Sequence, residues 1–158
     1  MTFVRTARPQ DLEQLVELLR LLFAIEEDFN VNADKQRQGL ALVLDDERSR
    51  VLVAEVHGKV VGMCTGQLVI STAEGGPAVL VEDVVVDPGH RGQGIGRALL
   101  DALATWARNQ GASRMQLLAD TNNRPALAFY DRRVWQRTAL ICLRRHLSGM
   151  LNSRIHRA

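Results

Sequence analysis

Cysteine is scarce in this chain. Cys64 and Cys142 are the only two among 158 residues, too few for a disulfide scaffold or a cysteine metal cluster, and that usage suits a reducing, cytoplasmic setting. The four histidines, His57, His90, His146 and His156, show no ligand spacing, so no metal is expected. Long apolar runs are missing as well. Val79-Leu80-Val81 and Val84-Val85-Val86 fall far short of the roughly 20 residues that span a bilayer, which excludes a membrane helix. Arg5 comes too early for a secretory leader, so the chain is expected to stay where it is made. Aromatics amount to 4%, with Tyr130 the single tyrosine. After Asp131 there is no acid at all.

What is present is ordinary for a globular domain, with 46% apolar and 24% charged residues. A chain of this length buries roughly 68–70% of its unfolded surface as one domain. Residues 1–147 are read as that domain and 148–158 as a tail without a convincing pattern. The net charge of +2 hides an asymmetry. Ten acids and three bases lie between Asp11 and Glu47, and seven arginines follow Asp131. Such a basic end suggests nucleic acid or a solvated face. Only Trp135 interleaves with the arginines, which argues against nucleic acid.

Residues 3–7 read as an opening strand, and Pro9-Gln10-Asp11 as a helix start. Leu12, Leu15, Val16, Leu19, Leu22 and Phe23 recur at helical spacing. A second, weaker helix is predicted over 33–44. Two β-rich runs, 51–56 and 60–70, joined at His57-Gly58-Lys59, read as an antiparallel hairpin. A turn at Gly75-Gly76-Pro77 leads to a strand over 79–86. Residues 87–94, Asp-Pro-Gly-His-Arg-Gly-Gln-Gly, favour neither strand nor helix. A helix with one apolar face opens at Ile95, and Gly111 is placed to end it in a left-handed conformation. A strand over 115–119 is then expected parallel to 79–86. A short helix over 125–132 and a last strand near 139–143 complete the pattern.

A glycine-rich turn between a strand and a helix N-terminus exposes unpaired N–H groups in the positive field of the helix dipole, which suits an anion. Arg91 and Arg97 add charge, and Gly92, Gly94 and Gly96 would let a diphosphate approach the backbone. The dinucleotide fingerprint and the P-loop both fail on spacing. A purely structural turn remains the alternative for this loop taken alone. However, Arg91-Gly92-Gln93-Gly94-Ile95-Gly96 fits R/Q-x-x-G-x-G/A, follows Val81-Glu82-Asp83-Val84-Val85-Val86, and is completed downstream by Asn123-x-x-Ala126-x-x-Phe129-Tyr130.

In that order these motifs resemble the GNAT superfamily of acetyl-CoA-dependent N-acetyltransferases, from the opening strand to about Leu147. The resemblance implies an α/β fold with a mixed, largely antiparallel sheet, splayed into a V between central parallel strands and flanked by helices. Coenzyme A would lie in the gap. The amides of Arg91, Gly92, Gln93, Gly94, Ile95 and Gly96, with Arg97 nearby, would take the pyrophosphate. Val84, Val85 and Val86 would pair with the pantetheine arm, Asn123 would contact that arm, and Tyr130 would stand near the thioester sulfur. Homodimers are also expected of such folds. One departure stands out: Val134 occupies the place where relatives carry glycine, and it disfavours a left-handed turn there.

Acetyl transfer needs a neutral amine, and an ammonium of pKa about 10.4 leaves only about one molecule in 10³ deprotonated at pH 7. Glu82 and Asp83 are candidate proton acceptors. As neighbours in a strand they are expected on opposite faces. The resemblance favours Glu82 as the base, with Asp83 bonded instead to an arginine or to backbone amides. A strand N–H of Val84 or Val85 could serve the developing oxyanion, and the Tyr130 phenol could protonate the leaving sulfur. Glu26, Glu27 and Asp28 fall where the resemblance places the acceptor entrance, which favours a cationic acceptor. The readings are an acetyltransferase for a small amine, an acetyltransferase for a protein N-terminus or lysine, and a non-catalytic acetyl-CoA sensor.

Overall fold

A computed structural model describes residues 1–26, 30–132 and 134–147. Strand β1 (Thr2–Thr6) leads through a 3-10 turn at Pro9–Asp11 into helix α1 (Leu12–Ile25). The entry is held by charge. Asp11, only 3% exposed, accepts the Arg8 N–H at 2.7 Å and two bonds from Arg5 at 2.8 and 3.0 Å. Arg5 also reaches Glu55 at 2.9 Å. Arg5 holds the Asp11 carboxyl below the usual carboxylate range. Helix α2 (Ala33–Asp45) starts at Asn32, whose side chain caps the Lys35 N–H at 3.1 Å.

Strands β2 (Ser49–Val56), β3 (Lys59–Ser71) and β4 (Gly76–Val86) follow as an antiparallel meander. The first of its turns works because His57 and Gly58 both take positive φ, 49° and 79°, as a two-residue hairpin turn of this hand requires. Helix α3 (Ile95–Asn109) then crosses to β5 (Met115–Leu117), which pairs parallel to β4. Helix α4 (Arg124–Asp131) starts at Asn123, whose side chain accepts the Ala126 N–H at 3.2 Å. The sheet order is β1-β2-β3-β4-β5.

Strand alternation divides the core between the two faces of this sheet. Leu52, Ala54, Val61 and Cys64 join Leu99 and Leu103 of α3, whereas Val51, Val53, Val60 and Met63 join Leu15, Leu18 and Leu19 of α1. Both faces are therefore covered by helix. The approach of α3 is close, since a Cβ at Gly66 would come within 2.8 Å of Leu103. Among the described residues no helix is long and apolar enough to cross a membrane.

Three expectations need correction. No strand forms at 139–143. Instead the chain runs exposed from 136 to 147 without regular structure, because the described part of the fold places no strand partner beside it. Strand β5 ends at Leu117 rather than at 119, since its pairing with β4 stops there. The stretch from Asp87 to Gly94 contains a 3-10 turn at Pro88–His90, where Asp87 accepts the Gly89 N–H at 3.2 Å and lies 2.9 Å from His90 Nδ1. The tail 148–158, with Glu27, Asp28 and Arg133, lies outside the described residues.

Candidate active site

The loop after β4 is shaped by backbone conformation. Gly92 and Gly94 hold φ of 75° and 79°, a region costly for any residue with a Cβ. Gly94 is the N-cap of α3, and no side chain caps this helix or places an acid in its first turn. The helical ladder begins with the Ala98 N–H on the Gly94 carbonyl at 3.0 Å. The N–H groups of Ile95, Gly96 and Arg97 thus have no place in it and lie in the positive end of the helix-dipole field. Ile95 is 2% exposed and buries its side chain in the core, so it offers only its backbone. Gln93 is exposed.

Not every predicted loop residue serves the same end. A Cβ at Gly96 would meet the Phe129 ring at 3.3 Å, so this glycine lets α4 lie against α3. Arg91 folds back, its Nε donating to the Val86 carbonyl at 3.0 Å. Arg97 is exposed and pairs with Asp101 at 3.4 Å. A cavity of about 250 Å³ beside the loop is lined by Arg97, Leu100, Phe129, Arg132 and Trp135.

Beyond this loop the sheet opens. Register between β4 and β5 ends at Val81 and Leu117, yet β4 continues to Val86. Residues 82–86 therefore keep one edge without a strand partner, and Val84, Val85 and Val86 all lie on it. Asn123, predicted to contact the coenzyme arm, is the cap of α4.

On the same stretch of β4, Asp83 adopts a φ of 53°, unusual for a residue with a side chain. It stands where the register with β3 shifts between Met63 and Thr65. Regular alternation is broken there. Among the described residues its carboxyl meets neither an arginine nor backbone amides but the Thr65 hydroxyl, at 3.4 Å. Burial, then Glu82 and Glu26, push Asp83 up to about 7. Glu82 is exposed to solvent beside it.

Tyr130 packs edge-on to Phe129 and Trp135, with ring centroids 5.1 and 5.7 Å apart. Burial, with Cys64 and Glu26 adding to it, raises its phenol to about 12. The Glu26 charge is felt by both Asp83 and Tyr130. Its neighbours Glu27 and Asp28 lie outside the described residues. Thr65, 1% exposed, is the site residue that sequence reasoning missed, because a threonine in a β-rich run carries no signal beyond strand propensity.

A mixed sheet that parts between two parallel strands, with a bare helix N-terminus at the end of one of them, defines an α/β protein built to hold an extended ligand with an anionic end. A protein-family model, the acetyltransferase (GNAT) family, matches residues 12–134. The chain belongs to this family.

Among curated relatives, it is 36% identical over 88 residues to streptothricin acetyltransferase of Streptomyces lavendulae, covering 56% of this chain and 45% of that protein. The chain spans less than two thirds of the length of the curated relatives it matches. Among solved structures, a possible acetyltransferase from Clostridium difficile 630 superposes with a TM-score of 0.81 at 22% identity, over 93% of this chain and 98% of that one. A predicted acetyltransferase from Clostridium acetobutylicum, solved with acetyl-CoA, gives 0.74 at 21% identity, over 91% and 96%. At these identities the two structures speak for the fold.

Proposed function

We propose that the chain transfers an acetyl group from acetyl-CoA to the amine of a small cationic molecule by direct attack while both are bound. The observation that carries this reading is the open edge of β4 beside the bare N-terminus of α3, with a half-buried carboxyl on that same strand, Asp83, held in a left-handed conformation at the break in register. A protein that only sensed acetyl-CoA would need the loop and the edge but no such carboxyl. The site fits the co-substrate in two respects. The free N–H groups of Ile95, Gly96 and Arg97, with the loop from Arg91, suit a pyrophosphate. The open edge of β4 at Val84 to Val86 suits an amide-bearing arm laid alongside it as an added strand. Acetyl-CoA supplies an activated thioester there.

The chain's own groups divide the proton work. Asp83 takes a proton from the incoming ammonium, and exposed Glu82 passes it to solvent. A backbone N–H of Val84 or Val85 donates to the carbonyl oxygen as charge builds on it. The Tyr130 hydroxyl gives its proton to the departing sulfur, and the second proton that the nitrogen sheds as the amide forms restores the phenol through water. This moves the first proton acceptor from Glu82 to Asp83, because a carboxyl near neutrality is better matched to the task than one open to solvent. Glu26 at the cleft favours a positively charged acceptor. Similarity to a streptothricin acetyltransferase supports a small molecule over a protein substrate.

Thiol release from acetyl-CoA against a panel of amines tests the reading. Turnover is expected with amines carrying a second positive charge, and kcat/KM should fall as salt rises, since exposed charges are screened over about 8 Å at physiological ionic strength. Acetyl-CoA binding without thiol release on any amine would leave only the sensor reading, and a best substrate that is anionic would remove the cationic one.

A further inference from the structure

The buried polar side chains among the described residues are Asp11, Ser49, Thr65 and Ser71, and all but one have an evident structural task. Asp11 holds the entry to α1, Ser49 bonds Asp46 at the start of β2, and Ser71 accepts the Glu74 N–H in the turn after β3 at 3.2 Å. Thr65 differs. It lies in the middle of β3 beside the buried Met63 and Cys64, at a place where valine would fill the same space. A buried hydroxyl needs a partner, and here the partner is a carboxyl of the site. The Thr65 hydroxyl donates to Asp83 Oδ2 at 3.4 Å.

The backbone brings the two together. Met63 faces Val85 and Thr65 faces Glu82, so Asp83 and Val84 together stand opposite Cys64, a bulge of the kind that re-aims a side chain. Asp83 absorbs the extra residue with its φ of 53°. Thr65 is β-branched and has little χ1 freedom in a strand, which makes its hydroxyl a fixed point for a carboxyl on bent backbone. Only one carboxyl oxygen is engaged. Among the described residues Asp83 Oδ1 has no hydrogen-bond partner, and it is not one of the buried unpaired side-chain atoms, which are Gln36 Oε1 and Arg50 Nε, so Oδ1 is open to solvent. The charged groups around this carboxyl are Glu82 on its own strand and Glu26 at the end of α1. Both oppose its ionisation, as burial does, and the Thr65 hydroxyl favours it. A bond to a charged oxygen is shorter and stronger than one to a neutral oxygen.

We infer that Thr65 is a positioning residue for acetyl transfer: its hydroxyl holds Oδ2 of Asp83 and leaves Oδ1 free to take the proton of the incoming ammonium. The bond tightens as the carboxyl ionises, and it thereby enlarges the share of Asp83 that is ready to act as a base near neutral pH. This role rests on the reading of Asp83 as the proton acceptor, while the bond itself is measured without turnover.

Thr65→Val removes the donor and keeps the branched shape, whereas Thr65→Ser keeps the donor. Two readouts are taken on the full chain. One is the carbon-13 titration of the Asp83 carboxyl, assigned by its absence in Asp83→Asn, and the other is the pH profile of kcat/KM for thiol release with the amine that turns over fastest. Thr65→Val should raise both midpoints by about half a unit to one unit, the size of one hydrogen bond. At pH 7 that shift lowers kcat/KM about two- to fivefold, a loss that fades at high pH, with acetyl-CoA affinity unchanged. Thr65→Ser should restore both midpoints. An Asp83 midpoint that stays in place in Thr65→Val overturns the inference, as does a serine variant that behaves like valine, since shape and not the donor would then matter. Failure of the inference alone shows as a rate step at the Asp83 midpoint that ignores Thr65. A wild-type profile with no step at that midpoint removes Asp83 as proton acceptor, and the inference with it, even where the carboxyl titration still answers to Thr65.

Discussion

Replacing Asp83 by asparagine removes the charge while keeping the shape, and two independent quantities should then move in opposite directions. In the folded protein the carboxyl sits at about 7, against an ordinary 3.8, chiefly because it is buried. For an acid with a raised folded pKa, the unfolded chain ionises first as pH rises. The folded state therefore loses stability between about pH 4 and pH 7 and carries the full penalty above that. Each tenfold in protonation is about 1.4 kcal/mol, so the penalty is at most ~4 kcal/mol. Relaxation around the charge makes ~1–3 kcal/mol the expected gain for Asp83→Asn at pH 8, a rise of about 2–12 °C in melting temperature for a domain of this size. At pH 4 the gain should vanish. Activity should do the reverse, with kcat falling by roughly 10²–10⁴ as the proton acceptor is lost. In the wild type kcat/KM should climb through about pH 7 and then level off, and the variant should lose that step. Scanning calorimetry at pH 4 and pH 8, with initial rates across the same range, reads both. A variant no more stable at pH 8 than the wild type would mean that Asp83 is not desolvated. One that is stabilised yet fully active would clear Asp83 of a role in proton transfer and return Glu82 to first place.

Gly94→Glu puts a side chain and a negative charge at a backbone of φ 79°, where the loop would meet a pyrophosphate, so acetyl-CoA affinity should fall at least tenfold, about 1.4 kcal/mol; Gly94→Ala separates backbone strain from charge, and calorimetric titration of both decides. Tyr130→Phe keeps the ring contacts with Phe129 and Trp135 and should lower kcat by about 10–10³ with acetyl-CoA binding nearly unchanged; unaltered turnover would pass the donor role to water. Asp11→Ala leaves the Arg5 guanidinium, whose side chain is 14% exposed, with Glu55 as its remaining carboxylate and the Arg8 N–H without its acceptor, and should cost about 1–3 kcal/mol, read as a lower denaturant midpoint. The wild-type contribution of Asp11, whose pKa is depressed, should be present above about pH 4 and fade as pH falls further.

Much of this architecture is written in local pattern. The period of Leu12 to Phe23, the β-rich runs on either side of His57-Gly58, and the glycines ahead of Ile95 each bias a few neighbouring residues, and such biases act wherever the chain happens to be. That is why α1, the meander, the anion-seeking loop and the left-handed stop at Gly111, with φ of 79°, could be read in advance. What depends on distant residues could not. Glu82 and Asp83 are adjacent and chemically alike, yet only the register shift against Met63 and Thr65 turns one carboxyl partly inward and leaves the other in water. Gly96 looks like a third phosphate glycine until α4 returns and lays Phe129 against it. The segment 139–143 has the composition of a strand, but a strand exists only where another edge accepts its hydrogen bonds, and no local propensity supplies that edge. Propensity is a property of a few consecutive residues, whereas burial, charge environment and strand pairing belong to surfaces that only tertiary folding brings together.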